Sequence, residues 1–192
     1  MVGESIKNIW PQRLAAGLQA GVLAGLIMAG WLMLEGARRD QTVWTNANLL
    51  STVLVGRQGL RSSFGMQTVA GLALHLVVAG LHGVLFAVLL SPRVRPLWAV
   101  NSAVLFSIAS YWVSFGWMIG QWAPMLASRA SRPAWFGAHV LFGVLLGLYP
   151  DFARSLLPKV EAPAAAPTLE EQATSTPVSD PPAPAEGGSA SG

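Results

Sequence analysis

Residues 14–34 run for 21 positions without a single charge. At about 1.5 Å rise per residue, such a run wound into a helix covers roughly 30 Å, the thickness of a bilayer's hydrocarbon core. A helix that is apolar on every side has no polar face to offer water, so this one segment restricts the chain to a lipid environment or a very large core. The chain as a whole, 53% hydrophobic and 11% charged, points to lipid as the solvent. Three further apolar runs follow. Residues 69–90 hold seven Leu, five Val and a Phe, which outweigh His75, His82 and three glycines in transfer free energy. Residues 97–122 are longer and more polar, and cross a membrane only if Asn101, Ser102, Ser107, Ser110, Ser114 and Gln121 face protein. Residues 134–149 are short, and reach bilayer length by continuing through Pro150 to residue 157. The predicted fold is an all-α, membrane-embedded four-helix bundle with spans at 14–34, 69–90, 97–122 and 134–157.

The rest of the chain divides around these runs. Residues 1–13 are a short N-terminal flank, and 35–68 form a long first loop with a helical pattern of its own at 45–56. Thr45 is its candidate N-cap and Gly56 its terminator, and Leu49, Leu50, Val53 and Leu54 share one face. The favoured reading is a helix lying in the membrane interface, and the alternative a re-entrant element tucked against the bundle. Residues 158–192 contain seven prolines, eight alanines and no aromatic, a composition that predicts a disordered tail. Tryptophans mark the expected interfaces: Trp10 and Trp98, with Tyr149, at one face, and Trp31, Trp122 and Trp135 at the other. Trp112 and Trp117 fall deep.

Charged residues make up 11% of the chain, against about 25% in soluble domains. Residues 1–150 carry ten Lys/Arg against Glu4, Glu35 and Asp40, and the remainder two basic against six acidic residues. A basic body of this kind suits anionic lipid headgroups and bears no nucleic-acid motif. Six basic residues fall on each predicted face, so orientation rests on the basic flank of the first span, which places both termini in the cytoplasm. The absence of cysteine removes thiolate chemistry, disulfides and Cys-ligated metals. Neither H-E-x-x-H, nor G-x-S-x-G, nor a P-loop occurs, and no carboxylate lies within the apolar runs 14–34, 69–90, 97–122 and 134–149, so an enzyme is not expected. Asp151 and Arg154 read as a solvated i, i+3 pair.

Two patterns remain. Gly17, Gly21 and Gly25 form a G-x-x-x-G-x-x-x-G row beside Ala16, Ala20 and Ala24, a face on which another helix backbone packs closely, either within the bundle or from a partner. Segments two and four also repeat each other: His75, Ala79, Gly83 and Phe86 match His139, Gly143, Gly147 and Tyr149. If the spans alternate in direction, His75 and His139 lie at similar depth, with His82 two turns below His75. Intramembrane histidines point either to structure or to a ligand. The structural reading pairs them with a stripe of Ser107, Ser110, Ser114 and Gln121 on segment three and sets helix register. The ligand readings are haem b or a metal, or a quinone, proton or other small-molecule site at His75, His82 and His139.

These features, namely the glycine row, the segment from His75 to Phe86 and the segment from Pro133 to Tyr149, resemble a group of uncharacterised bacterial four-helix membrane proteins of the YagU-like kind. The resemblance spans roughly residues 14–150 and implies the same fold in the bacterial inner membrane, without implying an activity. The functional expectation is a non-enzymatic protein acting through helix packing, as a homo-oligomer or an accessory subunit. The rival is a haem, quinone or small-ligand binder, and transport is disfavoured because the apolar runs 14–34, 69–90, 97–122 and 134–149 carry no charged residue.

Overall fold

The computed structural model describes residues 9–156, so the expectations for the first eight residues and for the tail lie outside the described residues. The main α-helices, in order, are α1 (Ile9–Arg38), α2 (Thr45–Val55), α3 (Met66–Leu89), α4 (Pro96–Val113), α5 (Pro124–Arg129), α6 (Arg132–Leu146) and α7 (Tyr149–Leu156), with a further short helical stretch, Ile119–Trp122, between α4 and α5. There is no strand among the described residues. Four stretches are long and apolar enough to cross a membrane: Trp10–Arg38, Met66–Leu89, Pro96–Trp122 and Arg132–Leu156.

The first outruns the predicted 14–34 at both ends, because helix propensity does not stop where hydrocarbon would. Pro11 sits in its first turn, where a missing N–H costs nothing. At the other end Glu35 pairs with Arg38 and Arg39 at 3.7 and 3.9 Å. The fourth stretch gains its length through a break after Leu146. α6 closes on Gly147, and α7 restarts at Tyr149 with Pro150 in its first turn. Asp151 and Arg154 pair in α7 at i, i+3, as the sequence suggests.

The helices are arranged in the spatial order α3, α1, α6, α4, with α7 also against α1. The α1–α3 contact shows why. A Cβ added at Gly17 would meet Ala87 Cβ and Gly83 O, both at 2.6 Å, and one at Gly25 would meet Ala79 Cβ at 2.5 Å. One at Gly83 would drive into Gly17 O and the Cα of Gly21. The glycine row is thus consumed within the chain, small residue against small residue, and is not left free for a partner helix. The parallel alanine row, Ala16, Ala20 and Ala24, is buried as well. The α4–α6 pair repeats the device, since a Cβ at Gly143 or Gly147 would come within 2.7 Å of the Cα of Val104 or Val100.

Polar groups lock the ends of these pairs. Arg13 Nη2 donates to Ala87 O (2.8 Å) and Leu90 O (3.1 Å), satisfying the terminal carbonyls of α3, while its guanidinium lies 4.5 Å from the Trp10 ring. At the opposite end α2 packs on α3 through only part of the predicted apolar face. Leu49 is buried together with Ala47, Asn48, Ser51 and Thr52, and Leu50 packs against the core, whereas Val53 and Leu54 are 40% and 58% exposed. Gly71 admits the Ala47 carbonyl, and Asn48 donates to Arg61 O (2.6 Å) and accepts from Thr68 Oγ1 (2.6 Å). Small polar residues share the buried side because their hydrogen bonds close the loop 56–65 around them. Gly56 ends α2 with a left-handed φ of 58°, as predicted, but Thr45 is the first helical residue and not the cap.

Two aromatics expected at the interface are core residues instead: Trp135 is 5% and Tyr149 0% exposed. Trp135 Nε1 donates to Asn46 Oδ1 (3.3 Å), whose Nδ2 donates to Leu32 O (2.7 Å), so Asn46 ties α2 to both α1 and α6. Trp10, Trp31, Trp98 and Trp122 do face outward.

The glycine contacts lead to a controlled prediction. Gly83→Ala should destabilise the protein by about 1–3 kcal/mol, the usual cost of overpacking, because the obstacle is backbone. Gly30→Ala, with nothing within 4 Å, should be neutral or stabilising. Unfolding midpoints in detergent decide it; equal midpoints for the two variants would contradict the packing described.

Candidate functional site

α3 and α4 stand at the two ends of the helix order and scarcely meet. Between them lies a cleft of about 360 Å³, floored by α1 and α6 and bounded by α2 and α5. One end is closed by aromatic contacts: Phe86–Phe106 with ring centroids 5.5 Å apart, His82–Phe106 at 6.0 Å and Phe86–Tyr149 at 6.0 Å. Toward the other end the walls are Leu74, Val78, Leu50, Leu126 and Trp122. The lining is overwhelmingly apolar, and its polar members are the three histidines and three serines of the sequence.

Each histidine is held differently. His75 is buried and its Nε2–H donates to Gly25 O across the helix interface at 2.8 Å. His139 Nδ1–H donates to Trp135 O of its own helix at 2.8 Å, and its ring is surrounded by Tyr111 (5.3 Å), Phe115 (6.5 Å) and Trp135 (6.4 Å). His82 Nδ1–H likewise donates to Val78 O at 2.8 Å. The repeat is therefore real in packing and only partial in chemistry. His75 sets register with its ring. At His139 it is the main-chain carbonyl that does so, accepting from Ser107 Oγ at 2.5 Å.

The predicted serine stripe survives for three of four residues. Ser107, Ser110 and Ser114 all line the cleft, Ser110 donating to Phe106 O at 2.9 Å. Gln121 does not line it and is exposed. The cause is a π-helical turn at Ser114–Met118, which carries α4 on through Ile119–Trp122. One extra residue in a turn rotates everything after it by about 100°, so a 3.6-residue count across it fails. Asn101 is also exposed and does not face protein as expected. Reading the sequence missed the cleft's walls, Leu74, Val78, Met118 and Phe142, since nothing in an apolar run marks which of its residues border empty space.

No group of three or more His, Asp or Glu among the described residues is placed to hold a metal. For haem ligation, the Nε2 of His75 is already committed to Gly25, and aromatic rings occupy the surroundings of His139. No family model, no curated protein and no solved structure matches the chain. What the geometry defines is an all-helical body with four membrane-length helices and a histidine-lined apolar cleft between the two that do not pack together.

The hydrogen bonds rank the histidines. His75→Phe should lose an interhelical bond and lower stability by about 1 kcal/mol, within the range of such bonds between membrane helices. His139→Phe loses only a bond within its own helix and should cost less. Unfolding midpoints of the two variants check this, and a larger loss at His139 would reverse the assignment of register to His75.

Proposed function

We propose that this chain is a four-span integral membrane protein, of the bacterial inner membrane, that binds a small lipophilic molecule in the cleft between α3 and α4. The observation that carries the reading is the cleft itself. Protein interiors are close-packed, with few voids larger than a water molecule, and about 360 Å³ of apolar space lined by convergent polar groups matches the dimensions of a small-molecule site. Its placement supports the same reading. The π-helical turn of α4, a deformation frequent at functional sites, contributes Ser114, Phe115 and Met118 to the wall. An open side between α3 and α4 would face the acyl chains, giving a lipid-soluble ligand direct access. The acidic groups of the four membrane-length stretches, Glu35 and Asp151, lie at their ends paired with arginines and do not line the cleft, so the reading is of a binder and not an enzyme. Haem b is not favoured, given how His75 and His139 are already engaged.

A second reading, an accessory subunit, is favoured by one further observation. Only 17% of the apolar window of the third membrane-length helix is buried, against 33–44% for the other three. Its exposed face carries Asn101, Leu105, Trp112 and Trp117. A partner helix would cover Asn101, which is costly to leave in hydrocarbon.

Leu74→Trp tests the leading reading, because it fills the cleft from α3 without touching the α1–α3 contact. A small lipophilic molecule should co-purify with the wild-type chain from native membranes, as seen by native mass spectrometry, and be lost in a variant that unfolds no earlier than the ligand-free wild type. A wild-type chain that carries nothing, and that no lipophile stabilises, would overturn it.

A further inference from the structure

Resting on that reading, we infer that the ligand of the cleft is a neutral lipophile bearing a hydroxyl group, which it donates to an imidazole: a phenol, hydroquinone or long-chain alcohol, and not the corresponding quinone, ketone or ether. The argument is a census of donors and acceptors. An imidazole in its neutral form has one N–H and one lone pair. His75, His82 and His139 each spend the N–H on a backbone carbonyl, Gly25 O, Val78 O and Trp135 O, at 2.8 Å in every case. A carbonyl cannot donate, so these bonds fix the tautomers. The nitrogens left over, Nδ1 of His75 and Nε2 of His82 and His139, are acceptors on residues that line the cleft.

The serines tilt the balance the same way. Ser107 and Ser110 give their hydroxyl protons to His139 O and Phe106 O, leaving only oxygen lone pairs. The Trp135 indole N–H is engaged by Asn46. The remaining donors in the lining are the Ser114 hydroxyl, which serves equally as an acceptor, and the Trp122 indole at the far end of α4, away from the three imidazoles. No Lys, Arg, Asp or Glu lines the cleft, so neither an anion nor a cation finds a counter-charge there. An acceptor-rich, uncharged, apolar site discriminates against a ligand lacking a donor, because the site's lone pairs then stay unpaired in a low-dielectric setting. His82 and His139 are the better partners, since His75 is taken up in the α1–α3 contact.

A matched pair of probes tests this on the full-length chain in lipid nanodiscs: para-octylphenol and its methyl ether, para-octylanisole, each dosed at equal mole fraction in the lipid. They share ring and tail and differ in the single O–H. Binding is read from quenching of the tryptophans at the cleft and from the shift in unfolding midpoint. We expect the phenol to bind about tenfold more tightly than the ether, and the preference to disappear in the double variant His82→Phe/His139→Phe at retained binding of both probes. Equal affinity for the two probes would overturn the donor inference while leaving the cleft reading intact. Failure of both to bind would remove the cleft reading and the inference with it. A preference that persists in the double variant would show that the imidazoles are not the acceptors.

Discussion

The close approach of α1 and α3 is the constraint on which the rest of the structure depends. In lipid the hydrophobic effect gives two apolar helices no reason to associate, and what remains is dispersion and hydrogen bonding at short range. Gly17, Gly21 and Gly25 remove the side chains that would hold the backbones apart, and Ala79 and Gly83 answer them from α3. Gly25 then brings its carbonyl within reach of His75, so the row that permits contact also creates the polar bond that fixes its register. Gly143 and Gly147 do the same for α6 against α4, with Ser107 supplying the bond.

The cleft follows from where these small residues are not. α3 spends Ala79, Gly80 and Gly83 on α1, and Gly143 and Gly147 are spent on α4, so the faces that α3 and α4 turn toward each other carry Leu74, Val78, Phe106 and Phe115. Bulky side chains mesh only where they meet in pairs, and they do so at Phe86 and Phe106; beyond that point the helices part. Loop elements hold the arrangement from outside. Asn46 joins α1, α2 and α6, and Asn48 gathers the loop carbonyls of Arg61 and Ser63, each a case of buried polar groups satisfied inside the protein.

Much of this was legible in the sequence, for identifiable reasons. Length and hydropathy mark four membrane-length helices, and G-x-x-x-G spacing marks the α1 contact, because both signals are local and repeat at the helical period. The kinship of the His75 and His139 segments was also visible. Signals that depend on a neighbour were not. Trp135 and Tyr149 look interfacial by position yet are buried, since each has a partner in another helix. On α2 the small polar residues Asn48, Ser51 and Thr52 share the buried side with Leu49 while Val53 and Leu54 stay exposed, because the partners of the buried side, Thr68 and Gly71, lie some twenty residues on. The count to Gln121 failed at a π-helical turn that no residue in Ser114–Met118 announces. Empty space, finally, has no sequence signature at all.

The absence of native cysteine makes a direct test of the helix order simple. Cysteine pairs would be introduced in the membrane-inserted chain and oxidised, since a disulfide requires Cβ atoms about 3.8 Å apart. Pairs are placed beside the glycines and not at them, because a Cβ at Gly17 or Gly143 would meet backbone; one such pair across the α1–α3 contact and one across the α4–α6 contact should crosslink readily, whereas Leu74→Cys with Ser114→Cys, facing each other across the cleft, should not. Efficient crosslinking of the third pair, or failure of the first two, would contradict an architecture in which small residues close α1 on α3 and α6 on α4 and leave α3 and α4 apart.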